Sequence, residues 1–124
     1  MVNNKNASFK KKLGWAWDGL IYTLTTEKNM KIHGAAAVTV AATGIWLRIS
    51  RLEWGLLVIT IFMVLAAETI NTAVEKAVDL YTEDYHPSAE IAKNVGAAAV
   101  LLTAVAAVMM GIIIFGGRIV NFLR

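Results

Sequence analysis

From Phe9 to Thr25 the apolar residues Leu13, Ala16, Trp17, Leu20, Ile21 and Leu24 recur at threes and fours, which marks one stripe of a helix. The pattern predicts a disordered tail over 1–7 and an amphipathic helix over 8–26. That helix would lie in a membrane interface, with Trp15, Trp17 and Tyr22 at headgroup level. Thr25 to His33 then reads as a polar connector. Beyond it the polar face disappears: Gly34 to Leu47, Trp54 to Ala67 and Val95 to Gly116 are three mainly apolar runs. They predict membrane helices over 31–48, 53–80 and 88–117, and the third run, 22 residues long, is the clearest. The first rises only about 21 Å against a hydrocarbon core of roughly 30 Å, so it must borrow length from its polar flanks. Arg48 to Glu53 reads as a tight turn. Tyr81 to Pro87 reads as a polar loop, with Pro87 and Ser88 opening the last helix.

Composition strengthens this picture. The chain has 124 residues, is 57% hydrophobic and holds one proline, which is too apolar for an ordinary soluble domain of this size. The expected architecture is a single all-α membrane domain, an interfacial helix plus three transmembrane helices. No cysteine is present, which excludes disulfides and thiolate metal sites. No cleavable signal peptide is expected, because the first apolar run follows a polar, lysine-bearing start.

Charge sets the topology. With three spans, the N-terminus and the second loop share a side, and that side carries eight of the twelve Lys and Arg: Lys5, Lys10, Lys11, Lys12, Lys28, Lys31, Lys76 and Lys93. The positive-inside bias predicts a cytoplasmic N-terminus. Eight of the nine acids, all but Glu53, fall on the same half.

Those acids are not scattered. Glu68, Asn71, Thr72, Glu75 and Asp79 lie within about 60° of Glu68 on one helical face, at ~100° per residue. A carboxylate at membrane depth normally faces a protein interior, a bound ion or water, which makes this face the candidate site. Glu68 and Glu75 stand about 10 Å apart along the axis, too far to share one ion but near enough to serve one substrate. One would act as a base and the other as a metal ligand. Mg²⁺ is typically held by only one or two carboxylates, with phosphate and water completing its shell, a need that Glu75 with Glu27 would meet. Lys93 suits a phosphate chain, or else is a lysine snorkelling at the membrane boundary. No phosphate-binding glycine loop, dinucleotide fingerprint or nucleic-acid module occurs, so a nucleotide would be held by side chains and metal. The same acids could instead line an ion pathway. The glycines Gly96, Gly111, Gly116 and Gly117 could belong to a non-enzymatic assembly protein, where they would simply pack helices.

The run Glu68-Thr69-Ile70-Asn71-Thr72-Ala73-Val74-Glu75, followed by Ala77-Val78-Asp79, closely resembles the signature of the prokaryotic diacylglycerol kinases, small integral-membrane lipid kinases. Glu27-Lys28-Asn29-Met30-Lys31-Ile32-His33 is similar to a segment found in the undecaprenol kinase branch of Gram-positive bacteria. His86-Pro87, Ala92-Lys93 and Ala97 to Leu102 extend the likeness, which covers Phe9 to Phe115. The resemblance implies a homotrimer in the bacterial plasma membrane, with active sites shared between protomers and facing the cytoplasm. ATP would be the phosphoryl donor and Mg²⁺ the cofactor, and the acceptor undecaprenol, with diacylglycerol the alternative. It implies Glu68 as general base, Glu27 and Glu75 as metal ligands, and Lys93 as a phosphate contact. Asn71 and Asp79 would support the site, Trp15 would stand near the nucleotide, and Asp84, Tyr85 and His86 would fall in a nucleotide-contacting loop. Lipid would lie against Trp17 and Glu68. Two positions depart from the family pattern. Asn94 stands where the nucleotide-binding lysine is usually followed by aspartate, and Glu90 stands where lysine is common. Asn94 is therefore expected to weaken catalysis without disturbing the fold.

Overall fold

A computed structural model describes residues 7–82 and 84–124. They form four helices in chain order: α1 (Phe9–Thr26), α2 (Lys28–Trp46), α3 (Arg51–Tyr81) and α4 (Pro87–Leu123). Among the described residues there is no strand. All of the expected tail but Ala7 lies outside the described residues.

The polar stretch Thr25 to His33 is not a connector. It is helical on both sides of one extended residue, Glu27. The Glu27 N–H donates to Thr23 O and its carbonyl accepts from Lys31 N, so the same residue closes α1 and opens α2. Nothing in Lys28-Asn29-Met30-Lys31 breaks a helix, and Met30 is fully buried, which ties the first turn of α2 down. Polarity alone had suggested a loop here.

The next corner is also shorter than the sequence suggests, because Arg51 to Glu53 are already helical. Ser50 Oγ accepts from Glu53 N while Glu53 Oε2 accepts from Ser50 N, a reciprocal capping box that starts α3 at once. At the end of α2, Ile49 N donates to Gly44 O and Arg48 N to Ile45 O, the paired bonds of a Schellman ending. Arg48 takes the left-handed conformation there, at φ 50°. Ile49 is thereby turned inward onto Leu57, Ile114 and Phe115, the largest buried apolar cluster. Gly44 makes room for it. A Cβ at that position would meet Ile49 Cδ1 at 3.0 Å and the Trp54 ring at 3.1 Å.

The helix α4 continues to Leu123, six residues past the expected end at 117, despite Gly116 and Gly117. The reason lies at the next residue. Arg118 donates to Ile114 O at 2.7 Å and to both oxygens of Glu53 at 2.6 and 2.8 Å, which fastens the end of α4 to the start of α3. These two helices pack along each other more extensively than any other pair.

Both α3 and α4 are long and apolar enough to cross a membrane; α2, with Lys28, Lys31 and His33 in its first turns, does not meet the same measure. Little of the apolar surface of α4 is covered: Leu101, Leu102, Ile112 and Ile113 are each at least 64% exposed. In water such a surface would be untenable, whereas lipid or a neighbouring chain covers it without cost.

Candidate active site

Four polar residues are buried among the described residues, and all lie toward the α3–α4 loop: Thr23 on α1, and Glu68, Asn71 and Thr72 on α3. The two threonines are satisfied locally. Thr23 Oγ1 donates to Leu20 O and Thr72 Oγ1 to Glu68 O. The other two are not: Glu68 Oε1 and Asn71 Oδ1 are buried without a hydrogen-bond partner. An unpaired buried acceptor costs about 1–3 kcal/mol, so each is an open position for a donor.

Glu68 is 3% exposed, and His33 of α2 approaches it, with Nε2 3.1 Å from Oε1. That separation is within ion-pair range, although Oε1 accepts no hydrogen bond in the structure. His33 also borders an apolar cavity of about 100 Å³ between α2, α3 and α4. One turn beyond Glu68, Asn71 Nδ2 donates to Glu75 Oε1 at 3.1 Å and orients that carboxylate. Asn71 Oδ1 faces Gly96 of α4 so closely that a Cβ there would stand 2.5 Å from it. A side chain at this position would therefore force the Asn71 amide to move.

Past Glu75 the site opens. Asp79, Asp84, Tyr85, His86, Lys93 and Asn94 line one cleft of about 490 Å³ between the end of α3, the loop and the start of α4. Lys93 Nζ pairs with Asp79 Oδ1 at 2.6 Å across the cleft, both side chains being about half exposed. Thr82 Oγ1 accepts from Asp84 N and shapes the loop. His86 caps α4, its Nδ1 accepting from Ser88 N, which leaves the proton of a neutral ring on Nε2. Tyr85 OH donates to Glu90 Oε2, so glutamate at position 90 holds a cleft tyrosine.

The sequence-derived site thus falls into two parts joined along α3. Glu68, Asn71 and Glu75 form the inner row, and the six cleft residues form the outer bowl. Glu27 sits at the α1–α2 joint, where Lys76, lying 6.0 Å over the Tyr22 ring, feels both its charge and that of Asp79. Trp15 is half-buried on α1, Trp17 is 63% exposed, and neither lines the cleft. Among the described residues no three His, Asp or Glu side chains converge on one point as a self-sufficient metal centre. Sequence reasoning missed His33, Lys76 and the role of Gly96 at Asn71. Only His33 carried a signal, as an imidazole in an otherwise apolar segment.

Residues 14–115 match the family described as prokaryotic diacylglycerol kinase. The chain is 37% identical over 112 residues to the undecaprenol kinase of Bacillus subtilis, covering 90% of this chain and 91% of that one. It is 39% identical over 98 residues to a diacylglycerol kinase of Synechocystis, covering 78% of this chain and 56% of that one. Against the diacylglycerol kinase of Escherichia coli K12 the identity is 30% over 111 residues, covering 88% and 91%.

Proposed function

This chain belongs to the prokaryotic diacylglycerol kinase family and is a lipid kinase, and from that premise we propose that it phosphorylates undecaprenol at the membrane surface. The long match to an undecaprenol kinase supports this acceptor over diacylglycerol. The observation that carries the reading is the buried carboxylate of Glu68 with one oxygen that accepts no hydrogen bond. A lipid hydroxyl supplies the missing donor, and the same contact puts a base on the proton it must lose.

Phosphoryl transfer needs mainly positioning and charge neutralisation. ATP lies in the cleft, with its phosphates toward Lys93. The exposed Lys93–Asp79 pair contributes little by itself, so Lys93 exchanges Asp79 for phosphate oxygens at small cost. Asp84, Tyr85, His86 and Asn94 surround the nucleotide. Glu75, oriented by Asn71, and Glu27 would suit Mg²⁺ as two hard oxygen donors, with nucleotide oxygens and water completing its shell. Such an ion would neutralise charge building up on the transferred group. Asp79 stays behind as a support for Lys93, while Trp17, exposed on α1, flanks the lipid.

The chain crosses the bacterial plasma membrane three times, α2 being the third span through its polar ends, with the cleft in the cytoplasm. It works as a homotrimer with shared sites. The uncovered apolar faces of α3 and α4 support that assembly.

Transfer of labelled γ-phosphate from Mg-ATP to undecaprenol and to diacylglycerol in micelles tests the reading. This chain is expected to label undecaprenol faster, Glu68→Gln to label neither lipid, and Asn94→Asp to turn over faster. Equal labelling by Glu68→Gln would remove the proposed base.

A further inference from the structure

We propose that His33 is the proton partner of Glu68, receiving the proton that the carboxylate takes from the lipid hydroxyl and passing it to water near the α1–α2 joint. This rests on the kinase reading above and adds a residue to it. A base that has accepted a proton must shed it before the next turnover, and Glu68, at 3% exposure, has no direct way to water. The imidazole does. It is 23% exposed, its Nε2 lies 3.1 Å from Glu68 Oε1, and among the described residues no other ion-pairing group stands within such reach of either side chain.

The surroundings isolate this pair. From α3 the ring's cavity is bounded by Leu57, Thr60, Ile61, Val64 and Leu65, and from α4 by Ala107 and Gly111, none of them titratable. From α1, Leu24 packs at the neighbouring Gly34. Glu68 is thus the charged group that the imidazole faces across these elements. An apolar wall strengthens their coupling, because a low local dielectric weakens screening.

The step balances. The lipid O–H bond breaks as its oxygen bonds the γ-phosphorus, the bond from that phosphorus to the ADP oxygen breaks, and the proton goes to Glu68. It then crosses from Glu68 Oε1 to the unprotonated nitrogen of a neutral His33 ring, giving a carboxylate and an imidazolium. The imidazolium releases a proton to water. His33 does not touch the lipid oxygen, so it is a positioning and relay residue acting through Glu68.

The test uses the full chain in micelles, comparing wild type, His33→Gln, His33→Ala and Glu68→Gln, with and without added imidazole. Both His33 variants are expected to keep KM for ATP and lipid within about threefold while kcat falls about 10²-fold. Imidazole should restore His33→Ala, because truncation enlarges the 100 Å³ cavity that the ring borders. It should not restore His33→Gln, whose amide fills the space. Wild-type kcat in His33→Gln overturns the proposal, and so does a folded His33→Ala that imidazole leaves unchanged. Should His33→Ala not fold, as read by thermal unfolding, the kcat of His33→Gln decides. Full turnover by Glu68→Gln would instead remove the base itself, whatever the His33 variants do.

Discussion

The two ends of the α3–α4 pair are built from the same helices and organised in opposite ways. At the α2–α3 corner, Glu53 is engaged by Ser50 and by both nitrogens of the Arg118 fork, and Ile49, Leu57, Ile114 and Phe115 close the space beneath. At the loop end, Glu68 Oε1 and Asn71 Oδ1 are buried without hydrogen-bond partners, and an open cleft follows. One end holds the helices in register with its interactions completed among its own residues. The other leaves interactions unmade, to be completed by a ligand, and gives up stability in doing so. Fixing one end so firmly is what permits the other to carry unpaired groups.

This contrast can be broken in a graded way. Glu68→Leu removes the base and the unpaired acceptor together, so lipid phosphorylation should fall by about 10³-fold or more while the thermal midpoint in detergent rises. A fall in both would mean that Glu68 is also structural. Gly96→Ala forces a methyl group against Asn71 Oδ1, and the amide that orients Glu75 must move. Turnover should drop by about tenfold or more, with KM for Mg-ATP rising, because a small displacement at a positioned group is amplified in rate. Gly44→Ala crowds Ile49 and Trp54 at the closed end. It should cost about 1–3 kcal/mol of stability, read by denaturation, and leave the kcat of the folded fraction unchanged. Arg48→Gly relieves the left-handed backbone at the corner and should stabilise by up to about 1 kcal/mol with no kinetic effect. Were either corner variant to alter kcat, the two ends would not be separable.

The inner row was legible because helical period is a local property: Glu68, Asn71, Thr72 and Glu75 are brought to one face by spacing alone, and apolar neighbours on either side point to membrane depth. The helix boundaries were less legible. Lys28 to Lys31 read as a loop because they are polar, yet a helix needs only backbone continuity and one buried anchor, here Met30. The Glu53–Arg118 clasp joins residues 65 positions apart, and no local pattern announces it; without it, Gly116 and Gly117 look like an ending. The contact of Gly96 with Asn71 was hidden for the same reason. Glycine in an alanine-rich helix reads as general packing until the opposite helix supplies the atom it must admit. Likewise, the pairing of His33 with Glu68 depends on the crossing of α2 and α3.

The joint at Glu27 has no length to spare, since a single residue ends one helix and begins the next. Exchange of a side chain at this joint leaves its residue count, and so the placing of α2, unchanged. An insertion or deletion at Glu27 is another matter. With no spare residue to absorb the change, it would displace the start of α2 against α1 and, with α2, His33 against Glu68.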